Sequence, residues 1–200
     1  MLDRRPQKGF SLIEMMIAVA IVAIVSTLAF PSYRAWIQNT KIRNTAEAVL
    51  NGLQIARAEA VKRNANVNFC LGTTNPDCVP VAGTDSAWVV GCDTVVPAPV
   101  APAVTPLECP AVIQSRSSGE GASSAVTVIA TPPANTMVLF TNLGTAAPAP
   151  VPFSEVNVNV PTSVLADARN LRVTLGVGGN ARMCDPNTSL PSSDPRKCSP

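Results

Sequence analysis

Two hundred residues are enough for one domain plus an anchor, and the 15 basic and 13 acidic side chains leave a formal net charge of +2. The chain has no histidine, which excludes histidine-based catalytic triads and histidine metal ligands. The positive balance sits at the N-terminus: removing Arg4, Arg5 and Lys8 from the basic set and Asp3 from the acidic set leaves twelve of each, so the remainder offers no bulk electrostatic attraction for nucleic acid.

The first nine residues, MLDRRPQKG, form a short basic leader. Residues 10–30 follow as an apolar run of 21, broken only by Ser11, Glu14, Ser26 and Thr27. At about 1.5 Å per residue, a helix of this length covers about 30 Å, one hydrocarbon thickness. The basic residues ahead of it hold that end in the cytoplasm. The run is too long for an ordinary signal peptide, and no small-residue cleavage site follows it at Pro31-Ser32. Residues 10–31 are therefore expected to form a transmembrane helix. Glu14 is the anomaly, because an acid costs about 2.5–3.5 kcal/mol at the bilayer centre and less near the interface. Either Glu14 reaches the headgroups or it meets a partner.

Pro31 is expected to kink or interrupt the helix. Beyond it, Ile42, Ala46, Val49, Leu50, Leu53, Ala56 and Ala60 recur at spacings of three and four, which predicts an amphipathic helix over residues 32–64. Arg57, Glu59, Lys62 and Arg63 read as its solvated face. From residue 65 to the end, short apolar runs are bounded by turn residues. Strands are expected at 67–70, 87–90, 125–129, 137–140, 156–160 and 171–175. Trp88 reads as core. Gly176-x-Gly178-Gly179 reads as a hairpin turn leading to a further strand at 182–184, since no phosphate-binding Lys or helix follows it. The proline-rich stretches 95–106 and 146–152 are expected to be surface loops.

The cysteines are Cys70, Cys78, Cys92, Cys109, Cys184 and Cys198. An even number behind a secretory-type N-terminus points to disulfides in an oxidising compartment. The absence of a CxxC spacing argues against zinc or thioredoxin-like chemistry. Joining neighbours gives Cys70–Cys78, Cys92–Cys109 and Cys184–Cys198; six cysteines allow fifteen pairings, and the middle pair is the least constrained. Carboxylates are scattered, with Asp85 and Asp93 near Trp88 the only loose pair, so no catalytic constellation, metal site or cofactor is expected.

Lys8-Gly9-Phe10-Ser11-Leu12-Ile13-Glu14 closely resembles the class III signal of type IV pilins and type II secretion pseudopilins. The resemblance implies that a prepilin peptidase cuts between Gly9 and Phe10 and N-methylates Phe10. It also implies that Glu14 pairs with the N-terminal amine of a neighbouring subunit. The stretch from Gly52 to Asn64, the residues Cys70, Cys78 and Trp88-Val89-Val90, and the ending Gly178-Gly179-Asn180-Ala181-Arg182-Met183-Cys184 resemble the GspH/FimT group. Residues 93–108 match least. The tail Asp194-Pro195-Arg196-Lys197-Cys198 is more similar to FimU-type minor pilins. The implied fold is α+β, type IV pilin-like: a long N-terminal helix packed on an antiparallel β-sheet domain.

The implied function is that of a minor pilin, lodged in the inner membrane and then built into the pilus at or near its tip. There it would prime assembly with other minor pilins and the major pilin, in the service of adhesion, twitching or DNA uptake. A minor pseudopilin of a type II secretion system is the alternative. A further alternative is a DNA-binding minor pilin, since some FimT-type members bind extracellular DNA through a C-terminal Gly-Arg-x-Arg motif. Here those positions read Gly179-Asn180-Ala181-Arg182, without the first arginine. Arg182, Arg196 and Lys197 are the candidate phosphate contacts if Cys184–Cys198 closes the tail.

Overall fold

A computed structural model describes residues 9–78, 85–92, 109–120 and 125–198. The leader up to Lys8, the stretch 95–106 and Asp93 lie outside the described residues. The chain divides into two compact units, Met1–Ile37 and Gln38–Pro200.

A single helix assignment, α1, runs over Leu12–Arg63 and crosses the boundary between the units. Its start is set by Ser11, whose carbonyl accepts the N–H groups of Glu14 and Met15 at 3.1 and 3.2 Å. In the first unit, every side chain from Phe10 to Val25 is exposed. The hydroxyls of Ser26 and Thr27 donate back to the carbonyls of Val22 and Ile24, both at 2.7 Å, so they leave no unsatisfied polar group on an apolar surface. Among the described residues, no single helix is long and apolar enough to cross a membrane; Leu12–Thr27 and Ser32–Arg63 meet that test only together, as a bent pair. The break falls at residues 28–31, where the proline removes a backbone donor.

In the second unit, α1 buries Ile42, Thr45, Ala46, Ala48, Val49, Gly52, Leu53, Ala56 and Ala60, the face expected from the spacing. The strands are β1 (Val67–Leu71), β2 (Trp88–Cys92), β3 (Gln114–Arg116), β4 (Thr127–Thr131), β5 (Met137–Phe140), β6 (Glu155–Asn159), β7 (Leu171–Leu175) and β8 (Ala181–Cys184). They form two antiparallel sheets, ordered β3-β2-β1-β5 and β4-β6-β7-β8, where the sequence reading expected one. Strand β3 was not expected. Its residues, Gln-Ser-Arg, are polar, the first two exposed and the third half-buried, so the short segment has no apolar alternation to read. Residues 146–152 are a loop apart from a bridge between Ala146 and Phe140.

One core joins α1 to both sheets. Ile42, Val49 and Leu53 of the helix lie in the same cluster as Phe69 and Trp88 of the first sheet and Val156 and Val158 of the second. Phe69 stands at its centre, with ring centroids 6.0 Å from Trp88 and 6.2 Å edge-on to Phe153. Two glycines allow this closeness. A Cβ on Gly52 would lie 2.6 Å from the Phe69 ring and 3.1 Å from Trp88, and a Cβ on Gly91 would collide with the Ala111 backbone carbonyl. The Phe69 ring is fully buried between Trp88 and Phe153 and yields only by shifting them, while alanine gains about 1 kcal/mol of helix propensity over glycine. The backbone carbonyl at Gly91 has still less freedom. Gly91→Ala should therefore cost about 3 kcal/mol and Gly52→Ala about 1–2 kcal/mol. Urea unfolding of the full chain in detergent would measure both, and equal costs would mean that the loop carrying Ala111 moves aside.

Candidate functional site

Two regions hold the site residues read from the sequence. The first is the start of α1. Gly9 and Phe10 are exposed, and a Cβ added to Gly9 would meet nothing within 4 Å. Glu14 is exposed in the first helical turn, and among the described residues its carboxylate has no hydrogen-bond or ion-pair partner. Ser11 at the N-cap and Glu14 three residues on have capping-box spacing, and a negative charge there also favours the positive end of the helix dipole.

The second region is the C-terminal loop. Cys184 and Cys198 are bridged with Cα atoms 4.9 Å apart, and Asp185 and Lys197 pair as a parallel bridge. The Asp185 N–H donates to the Arg196 carbonyl at 2.6 Å, and the Cys198 N–H to the Asp185 carbonyl at 3.0 Å. This geometry brings Arg196 and Lys197 of the loop beside Arg182 of β8 and also engages each of them. Arg196 grips the Asp194 carboxylate with two N–H groups, Nε at 3.1 Å and Nη2 at 2.7 Å. Arg182 Nη2 donates to the Lys197 carbonyl at 3.1 Å, and Lys197 Nζ to the Leu190 carbonyl at 2.7 Å.

A cleft of about 750 Å³ beside the loop is lined by Arg172, Arg182, Asp185, Asp194 and Lys197 among others, so acids face bases throughout. Arg172 is itself held by Glu155 at 3.1 Å and Asn157 at 2.8 Å. The sequence reading missed Arg172, Asp185 and Asp194 here. The Asp-x-Arg spacing at residues 194–196 was the available signal for Asp194, while Arg172 arrives through its strand register opposite Cys184.

The remaining cysteines pair as Cys70–Cys78 and Cys92–Cys109, with Cα separations of 5.3 and 5.6 Å. Asp85 accepts the Ala87 N–H at 3.2 Å, a local turn contact. On α1, Arg57 is exposed as expected but has a distant partner, and the solvated reading of Arg63 needs correction. Arg57 Nε donates to the Gly144 carbonyl at 2.9 Å, 87 residues away, and so ties the helix to the turn after β5. Arg63 is largely covered and bonds Glu59 at 2.6 Å. That contact, with Lys62 adding to it, holds the Glu59 carboxyl below its ordinary range.

Residues 4–30 match the model of the prokaryotic N-terminal methylation motif, and residues 45–179 match that of Type II transport protein GspH. The second match takes in well over half of the chain. The chain belongs to the GspH family. Among curated relatives, the Type IV major fimbrial protein FimA of Dichelobacter nodosus strain VCS1703A is 35% identical over 79 residues, 40% of this chain and 46% of that protein. A fimbrial protein of Dichelobacter nodosus is 39% identical over 79 residues, 38% of this chain and 43% of the other. The chain thus spans less than half the length of these relatives. Among solved structures, the type IV minor pilin FimU of Pseudomonas aeruginosa PAO1 aligns with a TM-score of 0.46 and 16% identity, covering 79% of this chain and 95% of that one.

The tail of this GspH-family chain makes a measurable statement. Arg196 holds the Asp194 carboxyl at about 2, down from 3.8, chiefly by the side-chain hydrogen bond. A depressed acid contributes stability above its ordinary pKa and loses it as pH falls through the folded value. The loop contact should therefore be intact above about pH 4 and released near pH 2. Carboxyl-carbon NMR of Asp194 should show a midpoint near 2 that moves up toward 3.8 in Arg196→Gln.

Proposed function

We propose that this chain is a minor type IV pilin: inserted in the inner membrane by its apolar helix, cleaved between Gly9 and Phe10 by prepilin peptidase, N-methylated on Phe10, and built into the pilus at or near its tip. The observation that carries this reading is the union, in one chain, of a methylation motif at residues 4–30 with a GspH region at 45–179. The helix behind the motif is exposed on every side, and a helix apolar all round belongs in a membrane or a bundle of other helices. The open surroundings of Gly9 agree with a residue read by a processing enzyme, since no packing among the described residues asks for glycine there. The bare carboxylate of Glu14 suits a charge awaiting the amine of another subunit.

The fibrous relatives favour the pilus. A minor pseudopilin of type II secretion is the second reading, favoured by the name of the matched GspH family itself. Extracellular DNA has less support as a ligand, because phosphate contacts would compete with bonds that Arg182, Arg196 and Lys197 already make.

Immunoblots of sheared surface pili decide between these readings. The protein should be present in wild-type pili and absent in Gly9→Val, which blocks cleavage. Retention in the membrane fraction, with exoprotein secretion lost in its absence, would instead establish the pseudopilus. Glu14→Ala should leave insertion and cleavage intact and lower the amount in pili at least about tenfold, the effect of losing about 1.4 kcal/mol of subunit pairing. Normal incorporation of that variant would remove the charge-pairing role.

A further inference from the structure

We propose that Tyr33 and Trp36 form an aromatic belt that binds the outer headgroup layer of the bilayer and fixes the depth of the helix while the subunit waits for assembly. The inference rests on the membrane-held stage of the function proposed above, and it assigns a lipid contact to residues outside the apolar span.

Both rings are exposed, Tyr33 at 58% and Trp36 at 64%, and they stack with centroids 6.1 Å apart. The contrast with Trp88, 3% exposed in the core, shows that this chain can bury an indole where it has room for one. Burial on α1 begins only at Ile42, so Tyr33 and Trp36 lie beyond the apolar run and before the core-facing part of the helix. Tyr33 and Trp36 stand 23 and 26 residues after Phe10. At about 1.5 Å per residue and an ordinary tilt of about 20°, the chain rises about 30 Å along the membrane normal from Phe10 to the end of the break at residue 31, and Tyr33 and Trp36 follow on the bent segment two and five residues later. The hydrocarbon core ends at about 30 Å and the headgroup layer extends about 5–7 Å further. The rings therefore fall in the layer where an amphipathic aromatic side chain places its body against acyl chains and its polar atom among headgroups. Exposed Arg34 lies between them in sequence and supplies a cation for lipid phosphate.

Cleavage between Gly9 and Phe10 removes Arg4, Arg5 and Lys8 with the leader, so the processed helix keeps no basic marker at its cytoplasmic end. An aromatic belt at the other end fixes the depth of the span, and with it the level of Glu14.

The test uses the full chain reconstituted into phosphatidylethanolamine–phosphatidylglycerol vesicles. Flotation reports membrane binding, and tryptophan quenching by lipids brominated either near the headgroup or near the chain terminus reports depth. Subtracting the Trp36→Phe signal removes the contribution of Trp88. The proposal expects flotation, with the Trp36 signal quenched about twofold more by the shallow bromines than by the deep ones. Flotation with deeper quenching, or with no quenching, would overturn the belt while leaving the membrane-held stage intact. A chain that does not float would overturn both.

Discussion

Between Phe10 and Val25 the chain exposes an apolar surface that none of its described residues covers. At about 25 cal/mol per Å² of apolar surface, an uncovered helix of this kind cannot remain in water, so its burial must come from lipid or from other chains. Everything else in the molecule is arranged around that constraint. The globular unit completes its own core without drawing on these residues. The same helix thus serves two solvents. Its N-terminal stretch is apolar all round, and its later stretch is apolar on one stripe that closes against both sheets.

The globular unit meets its own difficulty differently. Five phenylalanines, two tryptophans and one tyrosine are few for 200 residues, and the core is built mainly from valine and alanine. Small side chains bury little area each, so close approach has to compensate, which is the role of Gly52 under Phe69 and Trp88 and of Gly91 against Ala111. The disulfides act on the other side of the balance. Each closes a short loop and removes unfolded-state freedom amounting to about 2–4 kcal/mol. They start from residues at or near the C-terminal ends of β1, β2 and β8. A domain held this way suits an oxidising compartment.

The helix was legible because its signal is local. Residues three and four apart share a face whatever the rest of the chain does, and Ile42 through Ala60 fell where that rule put them. The longer strands were legible from alternation, as in β6, where Val156 and Val158 point inward. The partition into two sheets was not, because it depends on pairings such as β1 with β5 and β4 with β6 that skip intervening segments. Arg57 shows the same limit within a single side chain. Its helical position gave the exposed face where it lies, but not its bond to a carbonyl in a distant turn. In the tail, the sequence brought three cations together but could not weigh Asp194 and Asp185 against them, since that balance is set by loop geometry.

Glu14 can then be weighed by magnitude. At the start of a helix its charge interacts favourably with the dipole by about 0.3–1 kcal/mol. Placed at the bilayer centre, the same charge would cost about 2.5–3.5 kcal/mol, more than the helix end returns. Four residues beyond Phe10, however, it lies only about 6 Å inside the span, where the cost is lower and the helix dipole offsets part of it. Such a helix can wait in lipid with its acid partly balanced. Moving it deeper, into a bundle without headgroups or water, removes that balance and makes a counter-charge from a neighbour necessary. On the function proposed above, an acid placed at this depth is tolerable in lipid and demanding in a fibre, and it would disfavour any packing register that does not bring an amine to meet it.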